Sequence, residues 1–142
     1  MSTQTRDLLD RVMDEHWAAE AAHDIEAVMA TITDDAEQDL VGSPAHPLRG
    51  KEQIRAFYEQ LFQLIDQEEQ RTVRRYYGDD HLVEEAIWTG TFDGVLVGAE
   101  GKRGRVSFRI LHVIEVRDGR ISRENAWLDV DAIREQLLSA EA

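Results

Sequence analysis

Two of the five histidines in this chain fall on apolar faces, in distant parts of the sequence. His16 follows Val12 by four residues and Leu8 by eight, on a stripe with Leu9, Met13 and Trp17, which is the period of an amphipathic helix. His112 alternates with Val106, Phe108, Ile110 and Ile114, so strand parity sends it to the same side as those apolar chains. An imidazole titrates near neutrality and serves as hydrogen-bond donor or as general base. Asp39 is the carboxylate to set beside them, because it stands just ahead of Val41-Gly42-Ser43, at a strand end from which a side chain reaches the mouth of a sheet. A base with donors suits removal of a proton beside a carbonyl, dehydration or ring closure. Each residue alone has a structural explanation: a core histidine bonded to a backbone carbonyl for His16 or His112, a turn-capping carboxylate for Asp39. Chemistry is expected only where the three share one pocket.

The same parity argument extends to their neighbours. If Trp88 points inward, so do Leu82, Glu84, Ala86 and Phe92, which makes Glu84 a second acid candidate, with a place on the pocket rim as the alternative. His46, between the chain's two prolines, rims the pocket or faces solvent, while His23 and His81 are expected at the surface. No HxH, HxxxH or HExxH spacing links any two histidines, so a sequence-local metal site is not expected.

Composition narrows the partners. Zero cysteines exclude thiolate chemistry and sulfur-bound zinc. Sixteen Lys and Arg against twenty-nine Asp and Glu give a net charge of −13, which argues against nucleic acid and against an anionic membrane surface. The first residues, Met1-Ser-Thr-Gln-Thr-Arg-Asp, lack the basic and apolar regions of a signal peptide, and no apolar run approaches the ~18 residues of a membrane span. A cytoplasmic chain is the expectation. At 142 residues it reads as one domain over residues 1–142, large enough to bury a core without staples.

The elements that must position these residues follow from periodicity. Helices are read over the Leu8–Trp17 stripe, after an Asp24 cap through Ile25, Val28, Met29 and Ile32, and after Gly50 with Ile54, Phe57, Tyr58, Leu61, Phe62 and Ile65 on one face. Asp34-Asp35 closes the second helix, and residues 37–41 read as a short strand. From residue 70 the period changes to two, giving strands over 71–77, 81–92, 105–117 and 120–128 joined by tight turns. Residues 93–104, with four glycines, read as a long mobile loop, and a last helix over 131–138 is capped by Asp129 or Asp131. Helices segregated from an antiparallel sheet make an α+β domain, with a curved sheet around the long helix.

Asp24-Ile-Glu-Ala-Val28, Asp34-Asp35-Ala36, Asp39-Leu-Val-Gly-Ser43 and Gly50-Lys-Glu-Gln-Ile-Arg-Ala-Phe-Tyr58, in that order and spacing, resemble the ketosteroid isomerases of the nuclear transport factor 2-like superfamily. The likeness is dense over residues 16–60 and thins to a strand pattern afterwards, with Asp118-Gly119-Arg120-Ile121 as a late anchor. It implies a cone of curved antiparallel sheet, the nuclear transport factor 2-like or cystatin-like fold, closed over an apolar pocket. It also implies that Asp39 is the catalytic base and that Tyr58 stands beside the oxyanion site. His16 and His112 occupy the positions of that family's two oxyanion donors, a tyrosine and a protonated aspartic acid. The polyketide cyclase-like branch is related too. Its C-terminal Asp is matched by Asp129 ahead of Gln136-Leu137, although a helix N-cap is the other role open to Asp129, and its third-strand histidine is replaced by Phe92. Epoxide hydrolase relatives keep an Arg-X-Asp on that strand, for which Glu85-Ala86-Ile87 offers no equivalent.

The expected activity is a cofactor-independent proton shift beside a carbonyl of an apolar small molecule. Asp39, His16 and His112 would be catalytic, Tyr58, Trp88, Glu84, Phe108 and Leu128 would bind substrate, and Asp129 and His46 are secondary candidates. A cyclase or dehydratase using the same pocket is the enzymatic alternative, and a non-catalytic binding dimer the other. Val83, Ile87, Leu111 and Val113 lie on the outward parity and would form an apolar patch suited to a homodimer through the sheet's outer face.

Overall fold

The computed structural model describes residues 2–139. Four α-helices and a six-stranded curved sheet make the expected α+β domain. In chain order the elements are α1 (Thr3–Ala21), α2 (Ile25–Ala30), β1 (Ile32–Leu40), β2 (Leu48–Arg49), α3 (Lys51–Leu64), β3 (Ile65–Tyr77), β4 (His81–Asp93), a 3-10 turn (Gly94–Val97), β5 (Arg103–Arg117), β6 (Arg120–Leu128) and α4 (Val130–Ser139). The sheet order is β2-β1-β6-β5-β4-β3.

Strands β3 to β6 form the antiparallel meander that the period of two predicts. The first half of the sheet departs from expectation. β1 lies parallel to β6, with Asp39 in register with Asn125 and Leu40 with Ala126. This pairing also shortens the second helix. Ile32 does not continue it, because the Thr31 hydroxyl closes the last turn by donating to the Val28 carbonyl at 2.6 Å, and the Ile121 amide then takes the Thr31 carbonyl at 2.8 Å. Asp34 and Asp35 are exposed strand residues rather than helix terminators, and Asp35 pairs with Arg117. A six-residue helix has little cooperative strength of its own, so the sheet edge claims the chain.

Two further boundaries move for similar reasons. β3 begins at Ile65, opposite Phe92 of β4, although residues 65–70 are mostly polar and show no clean alternation. Register shifts between Gln67 and Glu69 and between Thr72 and Arg74 bend this strand. Residues 93–104 are not a long mobile loop. Val97 and Ala99 are buried, and the Gly94 amide donates to the Lys102 carbonyl at 2.7 Å. A Cβ on Gly94 would stand 2.1 Å from the Ala99 carbonyl oxygen, so this close approach requires glycine.

The core has two centres. One packs α1, α2 and α3 against β1 and the ends of β4 to β6, and includes Met13, Ile54 and Tyr58. The other packs α4 against the middle of β4 and β5, with Trp88, Phe92, Phe108 and Ile133. No helix among the described residues is long and apolar enough to cross a membrane.

Candidate active site

A cavity of about 90 Å³ is lined from both core centres, with Tyr58 on one side and Trp88, Phe92, Phe108 and Ile110 on the other. That is room for several water molecules or a small ring. A second chamber of about 300 Å³ shares its Leu40, Phe92, Leu96 and Leu128 walls and continues between the 41–44 segment and residues 97, 98 and 130. Apolar side chains dominate this outer part. The inner end carries the polar groups Glu20, Gln38, Gln70, His112 and Glu124.

His16 reaches the interior where the stripe on α1 predicts and is fully buried. Thr31 spends its hydroxyl proton on Val28, so it accepts the Nδ1 proton of His16 at 2.7 Å. Nε2 lies 2.9 Å from both Glu20 and Glu124, its single N–H directed between two carboxylates rather than linearly at either. Burial lowers the pKa of this ring, but the charge and hydrogen bonding of Glu124 and then Glu20 outweigh it and push the value up to about 10. His16 is therefore an imidazolium. The same attraction overcomes the burial of Glu124 and pulls its carboxyl down to about 2, with help from His112 and Gln38. With both nitrogens committed, His16 is absent from the wall of the main cavity. The direct oxyanion contact expected of it is replaced by a supporting one, because its charge holds Glu124 and Glu20 in place.

His112 has the opposite environment. Its ring lines the cavity and packs on Trp17 with centroids 4.6 Å apart. Neither nitrogen is hydrogen-bonded to a described residue, and Nδ1 is fully enclosed. Burial depresses its pKa, and the neighbouring carboxylates Glu124, Glu20 and Glu84 only partly offset that. A neutral imidazole with an unclaimed nitrogen faces the cavity.

Glu84 is inward as parity predicts, but it does not line the cavity, which overturns its expected role as a substrate contact. Its carboxylate is fully used. It accepts from the Trp17 indole at 2.6 Å, from Thr72 at 3.0 Å and from Arg75 Nε at 2.5 Å. Arg75 also binds Asp10 and Asp14 at 2.9 and 2.8 Å. An unpaired buried carboxylate would be costly, and this network supplies the partners. Its consequence for the site is that Trp17 is fixed against His112.

Asp39 lies half-buried on the cavity wall, and its carboxylate has no hydrogen bond to a described residue. In β1 the alternation turns Ala36 and Gln38 to the core, so Asp39 stands beside the inward positions rather than in one. His46 is close enough for Asp39 to raise its pKa, although burial has the larger effect and lowers it. His46 packs edge-on against Phe57 at 4.8 Å and is not part of the wall. Tyr58, Trp88, Phe108 and Leu128 all line the cavity as expected. Burial, with Glu124 and Glu20 nearby, keeps the Tyr58 phenol well above its usual pKa, and its oxygen accepts from Gln38 at 3.0 Å. Asp129 is exposed and caps α4, accepting the Ala132 amide at 3.1 Å, so it takes the capping role and not the pocket role.

Sequence reasoning missed Glu20, Gln38, Gln70 and Glu124. Two of these had readable signals. Glu20 is four residues after His16 on one helix face. Glu124 shares the parity that turns Ala126 and Leu128 inward. Together with His16 they form the one His/carboxylate group among the described residues with metal-ligand proximity, its atoms within 4.8 Å of one another. The protonated Nε2 supplies the positive charge at that point. No arginine or lysine lines the cavity.

A family model for the SnoaL-like domain matches residues 13–124. The chain belongs to that family. SnoaL-like domains are part of the superfamily that the segment from Asp24 to Tyr58 resembles, and solved structures agree on the fold. A candidate SnoaL-like polyketide cyclase from Shewanella putrefaciens CN-32 superposes with a TM-score of 0.75 at 16% identity, over 99% of each chain. An LEH-like epoxide hydrolase from M. tuberculosis gives 0.71 at 22%, over 91% of this chain and 88% of that one. A protein with a ketosteroid isomerase-like fold from Catenulispora acidiphila DSM 44928, solved with trimethylamine, gives 0.73 at 15%, over 89% and 91%. No curated protein matches the chain in sequence.

Proposed function

We propose that this SnoaL-like protein is a cofactor-independent, isomerase-like enzyme that shifts a proton beside a carbonyl of an apolar cyclic small molecule, steroid-, terpenoid- or polyketide-like. The observation that carries the reading is His112, a buried, neutral imidazole on the cavity wall with a nitrogen that no described residue claims. A neutral imidazole donates one hydrogen bond, suited to a carbonyl oxygen as it gains charge. Asp39 is the general base. It takes the proton from the carbon beside the carbonyl, the C–H electron pair moves toward the oxygen, and the proton returns at the far carbon of the conjugated system. Trp88, Phe108 and Leu128 hold the apolar body and exclude water. His16 acts through Glu124 and is a positioning residue.

Solvent exchange tests this. In deuterium oxide the protein should catalyse deuterium incorporation beside the carbonyl of a small cyclic enone. Asp39→Asn should abolish the exchange with an unchanged circular dichroism spectrum, and undiminished exchange in that variant overturns the assignment. A cyclase or dehydratase working through the same cavity is the second reading, favoured by the SnoaL-like match and the polyketide cyclase-like neighbour. The outer face of the sheet, with Leu111 opposite Trp127 and both exposed, supports a homodimer as its natural cover.

A further inference from the structure

The cavity wall is acidic in a way that a neutral ketone does not explain. Glu20, Asp39 and Glu124 line it, no lysine or arginine does, and the imidazolium of His16 stands behind two of the three. The formal balance is two negative charges around an apolar chamber. Proton transfer from the substrate carbon to Asp39 leaves that balance unchanged, because Asp39 is neutralised as the enolate forms, so the enolate develops charge in an enclosure that still holds the Glu20 and Glu124 carboxylates, where like charges repel.

The unsatisfied groups point the same way. Gln38 Nε2 donates to both Glu124 and Tyr58 at 3.0 Å, which leaves its Oε1 as a buried acceptor without a donor. His112 Nδ1 and Gln70 Nε2 are also buried without a partner, while Glu20 Oε2 and Glu124 Oε1 face His16 Nε2 at 2.9 Å. Three carboxylates against one imidazolium leave the wall short of positive charge, so the partner that suits it, with the Gln38 oxygen as acceptor, is a cationic donor. Trp17, Tyr58 and Trp88 also line the cavity, and aromatic rings attract cations.

We infer that the substrate carries a protonated basic nitrogen, seated at the inner end of the cavity on the side of the Glu20 and Glu124 carboxylates away from His16, against the Gln38 amide oxygen and the aromatic side chains. This rests on reading the cavity as a substrate site and narrows the substrate to an apolar, carbonyl-bearing ring with an amine. The ammonium donates to the Gln38 oxygen and offsets the excess negative charge of the wall, while the transferred proton still passes from carbon to Asp39 and back.

The test compares cyclohexylammonium, cyclohexanol and cyclohexanecarboxylate, which share a ring and differ in charge, by isothermal titration at low and high salt. The ammonium should bind at least about tenfold more tightly than the alcohol, with the carboxylate weakest, and raised salt should narrow the gap. Glu20→Gln should cost the ammonium about tenfold in affinity and leave the alcohol within about twofold. Equal affinity for alcohol and ammonium overturns the inference, and so does stoichiometric displacement of the ammonium by zinc or manganese. Failure here with Asp39-dependent exchange of a neutral enone intact removes the amine alone. Tight, Glu20-dependent ammonium binding without such exchange keeps the amine and removes the proton-shift reading.

Discussion

Replacing Glu124 with Gln removes one of the two carboxylates that keep a proton on buried His16. The proton is held from the ordinary 6.5 up to about 10 in the folded chain. At about 1.4 kcal/mol per pH unit this is roughly 5 kcal/mol of preferential proton binding. Glu20 remains 2.9 Å away in the variant, and the new amide still fills the space, so not all of it is lost. We expect about 3 kcal/mol at neutral pH, the lower end for breaking a buried ion pair, against a total stability of roughly 5–15 kcal/mol for a domain of this kind. The sign of the pH dependence follows from the raised pKa. The contribution is complete below 6.5, declines as the unfolded chain releases the proton while the folded chain keeps it, and is gone once the pH passes about 10. Urea unfolding followed by the fluorescence of the three tryptophans measures both effects. The wild type should lose stability steadily between pH 6.5 and 10, and Glu124→Gln should flatten that slope. A loss under about 1 kcal/mol, or a wild-type profile level over that range, refutes a charged His16.

Other consequences are measurable in the same way. Glu84→Leu leaves the Trp17 indole, the Thr72 hydroxyl and Arg75 Nε without their acceptor while Asp10 and Asp14 still pair with the guanidinium, and should cost about 2–3 kcal/mol in urea unfolding. His112 titrates below 6.5, so its imidazole ¹³C shifts should report a neutral ring at pH 7 and protonation only in more acidic solution; a charged ring at pH 7 contradicts its assigned environment. Asp129→Ala should cost only about 1 kcal/mol and leave enone exchange unaltered, because its oxygen caps α4 outside the cavity. Leu111→Glu with Trp127→Glu should convert a dimer to a monomer in light scattering, and a wild-type monomer would count against the sheet-face dimer.

The chain's own periodicity was enough for the class of fold and for several side-chain directions. The α1 stripe carried His16 inward, and alternation in β4 and β5 carried Glu84, Trp88, Phe108 and His112 inward, because both patterns are local consequences of where Cβ points. The outward placement of Val83, Ile87, Leu111 and Val113 follows from the same parity and is observed as partial exposure. What local periodicity cannot contain is pairing between segments 80 to 90 residues apart. The parallel contact of β1 with β6 set the end of α2 and brought Gln38 beside Glu124, and no spacing near Asp34-Asp35 announces it.

The histidines divide along that line. Sequence alone determined that His16 and His112 are buried. Tertiary structure decided that one is charged and the other neutral, since protonation depends on which groups surround a ring and not on which face it occupies. His16 meets Glu20 and Glu124, from its own helix and from the last strand, and keeps its proton. His112 meets the Trp17 ring and an open cavity, and gives its proton up. The same parity was insufficient for Glu84, whose inward direction is local but whose Arg75 and Trp17 partners are not, so an expected substrate contact became a support for the wall.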